Sequence, residues 1–104
     1  MRIAEHELRQ RPLPPLYASG VRYRREPRRS DGGRLEDWMT PHEVASQQTG
    51  DCEDLAVWRA SELRILGERA FAKAFESTIG WHIKVVRGDG SVEDPSVKLG
   101  MRAP

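Results

Sequence analysis

Residues 49–67 read TGDCEDLAVWRASELRILG, and their reading decides the fold. Gly50 ends what precedes it, and Asp51 can then cap a helix whose first turn holds Cys52, Glu53 and Asp54. Acidic side chains suit that turn because they meet the positive end of the helix dipole. At about 100° per residue, Leu55, Ala56, Leu63 and Leu66 share the face of Cys52, while Val57, Trp58 and Ile65 lie on the other sides. A helix apolar all round is central, or lies against a partner. Gly67 suits the position just past its end.

Upstream, Thr40-Pro41-His42-Glu43 is another helix start: Thr40 as cap, Pro41 in the first turn and Glu43 closing a capping box. That helix is expected over residues 41–48. Further back, residues 24–36 are rich in Arg, Pro, Gly and Asp and read as a long loop. "LYASGVRY" (16–23) has strand character at its end, and a short helix over residues 3–10 is stopped by Pro12, Pro14 and Pro15. The chain therefore divides into an N-terminal segment, 1–36, and a core, 37–104, within one domain.

Downstream, residues 68–79 carry two signals. Ala, Glu and Lys favour a helix, yet Phe71, Lys73 and Phe75 alternate with alanines as in a strand. "WHIKVV" (81–86) alternates and is rich in β-branched residues; "RGDGS" (87–91) is a turn, and "VED" (92–94) is a short return strand stopped by Pro95. The tail after Pro95 reads as irregular. With Gly88 at the centre of the turn, His82 faces Asp94; a tight Asp89-Gly90 turn shifts that register.

The chain has 104 residues and a net charge of +1, so it is sized for one small core and carries no global bias toward polyanions. Charge is uneven, however: residues 22–34 hold six arginines against Glu26 and Asp31. Arg22, Arg24, Arg25, Arg28 and Arg29 form a solvated basic loop or a docking patch for an acidic surface. The run lacks the interleaved aromatics that stack on bases, so nucleic acid is not the expected partner. One cysteine excludes an intrachain disulfide framework. The opening "MRIAEHELRQRPLPP" has no basic-plus-apolar signal pattern, and no apolar run is long enough to span a membrane.

Cys52, His82 and Asp94 are the residue types that thiol catalysis requires. A thiol at a helix start has its anion stabilised by backbone N–H groups. An imidazole takes its proton, and a carboxylate orients the imidazole. Each has a plain structural alternative: Cys52 and His82 as packing residues, Asp94 as a turn residue before Pro95. Trp81 walls a site or fills the core, with the core expected. His42 is a rival base.

"TGDCEDLAVWRASELRILG", "WHIKVV" and "GSVEDPS" together resemble the transglutaminase-like superfamily, of papain-type fold. "GDCED" is most similar to the bacterial transglutaminase-like cysteine proteinases. The chain also looks like short transglutaminase-like proteins of phages and prophages, through "PPLYASGVRYRRE". The resemblance implies an α+β fold: a minimal papain-like core with a central helix carrying Cys52 packed on a small antiparallel sheet. It makes residues 68–77 a strand. It implies Cys52 as nucleophile, His82 as general base and Asp94 as its orienter. It suggests Gln47 or Gln48 as oxyanion donor, against the alternative of solvated helix-end residues. Asp51 and Glu53 match calcium ligands of some relatives; no cofactor is otherwise required, and helix capping explains the same acids.

Two functions follow as expectations. One is a cysteine-dependent amide hydrolase or acyltransferase acting on a protein or peptide. The other is an inactive structural or adaptor protein of the same fold, such as a component of a phage particle. The expected location is the host cytoplasm or the virion.

Overall fold

The computed structural model describes residues 2–25, 39–77 and 80–101. Among them the chain is an α+β domain with four helices and a small antiparallel sheet. In order, the helices are α1 (Arg2–Gln10), α2 (Pro41–Gln47), α3 (Cys52–Ile65) and α4 (Pro95–Lys98). Strands β3 (Phe71–Ser77), β4 (Gly80–Val86) and β5 (Val92–Glu93) form the antiparallel sheet in that order. Two further short strands, β1 (Arg22–Tyr23) and β2 (Thr49–Gly50), pair in parallel.

Helix α3 is apolar all round because it has a core on each side. One face sends Leu55 and Trp58 into a cluster with Leu8, Leu16, Val21, Val44 and Leu99. The other sends Ala56, Ala60 and Leu63 against Ala70, Val85, Ala72 and Ile83 of the sheet side. The small alanines let helix and sheet approach closely, while Trp58, 1% exposed, fills the wider gap toward α1 and α2. Leu66, expected on the buried stripe, is 81% exposed. It caps the C-terminus, where its N–H bonds back to Glu62 and Leu63 and the chain leaves through Gly67 at positive φ.

The N-terminal segment is part of the same packing. Ala4 and Leu8 of α1 are buried, and Glu5 pairs with Arg64 of α3 at 2.5 Å. The β1–β2 pairing sets Tyr23 opposite Gly50, immediately before the Cys52 helix. Gly50 suits a close approach: a Cβ there would meet Asp54, Val44 and Leu55 side chains at 3.2–3.3 Å, so those neighbours would have to give. Arg28, Arg29, Arg34 and most of the expected 24–36 loop lie outside the described residues.

Residues 71–77 form the strand, against their helix propensity, because α3 buries Ala70 and Ala72 beneath it. The β4–β5 hairpin pairs Val85 with Glu93 and Val86 with Val92. The turn is therefore centred on Asp89, one residue from the Gly88 centre that would set His82 opposite Asp94 and short of the tight Asp89-Gly90 alternative. Asp89 sets that centre by accepting from the Ser91 N–H (2.9 Å) and hydroxyl (2.6 Å). The tail is also more ordered than expected: Pro95 starts α4, with Asp94 as its cap.

Leu63→Ala should destabilise the protein by roughly 2–5 kcal/mol, whereas Leu66→Ala should stay within about 0.5 kcal/mol of wild type, in urea unfolding.

Candidate active site

Cys52 is held by a reciprocal cap. The Asp51 carboxylate accepts from the Asp54 N–H at 3.0 Å, and the Asp54 carboxylate accepts from the Asp51 N–H at 3.1 Å. Asp54 also accepts from the Met39 N–H at 2.7 Å, so it fastens the chain ahead of α2 to the start of α3. It is 3% exposed. The sequence suggested an acid complementing the dipole; Asp54 is in addition a buried bracket. Burial pushes its carboxyl up to about 7, the nearby Asp51 charge adds to that, and the Met39 and Asp51 N–H groups oppose it.

The half-buried Cys52 thiol lies against β4, where the backbone N–H of Ile83 hydrogen-bonds to it. Burial raises its pKa most. The Ile83 N–H pulls the other way, the charges of Asp51 and Glu53 raise it further, and the Glu53 N–H lowers it. The resting group is therefore a neutral thiol.

His82 is the residue before Ile83 and is 7% exposed. Its Nε2 is 2.8 Å from Asp94 Oδ2. A carboxylate only accepts, so Nε2 carries the hydrogen and Nδ1 of the neutral ring carries the lone pair. The shifted turn means that His82 and Asp94 are not opposite residues of a ladder. Asp94 has left β5 to cap α4, where its Oδ1 accepts from the Val97 N–H at 3.3 Å. One carboxylate thus starts a helix with one oxygen and holds the imidazole with the other.

What aims Asp94 is its neighbour. Glu93 meets Arg59 of α3 at 2.6 Å and Arg87 at 3.2 Å, and accepts from the Tyr17 hydroxyl. Arg59 continues to Glu62 at 2.9 Å, and Glu62 accepts from the Leu16 N–H at 3.0 Å. Burial alone would raise the Glu93 carboxyl; the Arg59 and Tyr17 hydrogen bonds and the Arg59 charge outweigh it, and Glu93 ends below the usual range. These residues were not singled out in the sequence because each looks like ordinary surface charge until the fold joins them. Tyr23 was missed as well. Its phenol is raised by burial and then by the proximity of Cys52, with Asp51 and Asp94 also acting on it. The only local signal was its place at the end of "ASGVRY".

The other sequence candidates stand apart. The Gln48 amide donates to Ala45 O at 2.7 Å, folded onto its own helix end. Gln47 lines a polar cleft with Glu7, Arg11 and His42. His42 lies 3.4 Å from Glu7 and 2.7 Å from Arg11 O, which occupies it on the α1 side. Trp81 is 66% exposed and not in the core: it stands at the outer end of β4, opposite Glu76. Arg24 and Arg25 are exposed, and Arg22 lies along Gly100.

Among the described residues, no three His, Cys, Asp or Glu side chains converge as a metal site. Asp51 gives one oxygen to the helix cap, and calcium takes about six to eight oxygens, so a calcium ion at Asp51 and Glu53 would need further ligands. No helix among the described residues is long and apolar enough to cross a membrane. No protein-family model, curated protein or solved structure matches the chain.

Asp54 gives the site a pH signature. Its carboxyl is raised in the fold, so the folded state holds a proton that the unfolded state has released between the ordinary carboxylate range and pH 7. Stability from this group is complete at the acid end of that window and is lost as pH rises through about 7. In denaturant titrations from pH 8 to pH 5, wild type should gain stability relative to Asp54→Asn.

Proposed function

We propose that the chain is a cysteine-dependent amide hydrolase or acyltransferase of papain-like, transglutaminase-like architecture, acting through Cys52, His82 and Asp94. The observation that carries this reading is the 2.8 Å His82–Asp94 bond placed one residue from the N–H that holds the Cys52 sulfur. A central helix with the thiol in its first turn, packed on an antiparallel sheet that bears the imidazole, supports the same assignment.

The chemistry runs as a general-base step. The thiol is neutral at rest, so its proton passes to His82 Nδ1 as sulfur attacks the carbonyl carbon. The electron pair moves to the carbonyl oxygen, where backbone N–H groups at the start of α3 are candidate donors. Collapse breaks the C–N bond, and His82 returns the proton to the leaving amine. A thioester remains on Cys52. Water or a second amine then attacks it, giving its proton to His82, and the thiol is restored with release of an acid or a new amide. Asp94 stabilises the imidazolium through Nε2 in each half.

A second reading has one observation behind it. Burial and two flanking acids push the Cys52 thiol up, which suits a packing cysteine in an inactive structural or adaptor protein, such as a part of a phage particle. One experiment divides the two. With p-nitrophenyl acetate, the enzyme reading expects a burst of one equivalent of p-nitrophenolate and an acetyl group on Cys52 by mass spectrometry. His82→Ala should slow that burst by about 100-fold or more. Acylation no faster than that of free cysteine, unchanged by His82→Ala, would leave the structural reading.

A further inference from the structure

Among the described residues, α3 packs on one face of the antiparallel sheet; the other face is open at its Phe71 end and closed at its His82 end, where His82 is buried. Residues opposite each other in a ladder share a face, and successive residues alternate. Ala72, Ile83 and Val85 point toward α3. The other face therefore carries Phe71, Lys73 and Phe75 of β3 beside Val86, Lys84 and His82 of β4, with Val92 next to Val86. Phe71 is 46% exposed and Val92 is 51% exposed.

The charge pattern on this face is unfavourable by itself. Lys73 and Lys84 are direct cross-strand partners, and like charges in that position destabilise a sheet. Both ammonium groups lie 5.4 Å from the Phe75 ring centroid, and neither forms an ion pair with a carboxylate among the described residues. The neighbouring acids are used or turned away: Asp94 holds His82, Glu93 holds Arg59, and Glu76 is on the α3 side by register. The result is three rows along the strands, about 6.7 Å apart: apolar (Phe71, Val86), cationic (Lys73, Lys84), then aromatic beside His82 (Phe75).

We infer that this face docks an acidic segment of a partner protein, a single amphipathic helix whose successive turns present an apolar, an acidic and an apolar side chain. A helix covers a sheet face by laying its axis near the strand direction, and its i to i+4 spacing of about 6 Å matches the rows. Two seven-residue strands and a short third are as wide as one helix. The central carboxylate seats between Lys73 and Lys84 and removes their repulsion. A second copy of this chain is the wrong occupant, since stacking this face on itself would gather four lysines. The docking stands whether or not Cys52 is a nucleophile; that the docked segment is led toward His82 rests on the catalytic reading.

The test uses full-length Cys52→Ala protein, so catalysis does not enter. The probe is a fluorescein-labelled alanine-based helical peptide with Leu, Glu and Leu at successive turns. Its controls carry Lys in place of Glu, or Ser in place of both Leu. Fluorescence anisotropy should show salt-sensitive binding of the acidic peptide alone. Lys73→Glu with Lys84→Glu should weaken it by about tenfold or more and turn preference to the Lys peptide. Circular dichroism and the unfolding midpoint verify that the variant folds, and Phe71→Ser, at an exposed site, gives an independent loss through the apolar row. Equal binding of both peptides, no binding, or wild-type affinity in the charge-reversed protein would overturn the proposal. So would dimerisation of the wild type that Lys73→Glu with Lys84→Glu leaves intact and Phe71→Ser abolishes.

Discussion

The structure depends on the way Asp51 and Asp54 close the start of α3. Each carboxylate satisfies the other residue's N–H, which removes two of the unpaired donors at a helix end. Asp54 has a second duty, since it also binds the Met39 N–H and ties the approach to α2 onto the same point. Between these two acids sits Cys52. The cap fixes where the helix begins, so it fixes which residue occupies the first turn and faces β4. The cost is a buried carboxyl whose ionisation is disfavoured near neutrality.

The sheet side is aimed by an equally indirect device. Two residues of β5 are too few to set a side chain firmly by ladder bonds alone. Glu93 compensates by binding Arg59, Arg87 and Tyr17, which locks β5 to the middle of α3. Asp94 follows at once and is divided between the α4 cap and His82. The thiol is thus placed by the start of α3 and the imidazole's partner by the middle of the same helix. A buried charged network is a weak source of net stability but a good source of geometry, since few arrangements satisfy all its members.

Much of this was legible in residues 40–67. Capping residues, a glycine stop and an apolar run are local signals, and α2 and α3 begin where those signals place them. Cys52, His82 and Asp94 could be named from residue type and order, but the His82–Asp94 contact is made with a turn centred one residue from the register that would set the two opposite each other. What could not be read was long-range. Asp54 looks like any first-turn acid until Met39 arrives. Arg59, Glu62 and Glu93 look like surface charge until the hairpin folds over. Trp81 carries a core residue's chemistry at an exposed strand end, and Leu66 a core residue's chemistry past a helix end. Propensity sees the residue type in both cases and not the neighbour that is missing.

Burial, with the flanking acids adding to it, holds the Cys52 thiol neutral, so His82 carries the account: either it takes the proton of Cys52, or the constellation is only structural. The rate of Cys52 alkylation by iodoacetamide, followed from about pH 5 to pH 10 in wild type and in His82→Gln, measures that coupling directly. General-base coupling predicts that wild type reacts faster across the neutral range, where the thiol itself is neutral, and that His82→Gln reacts only as the thiolate forms at alkaline pH. Superimposable curves in the two proteins would contradict it.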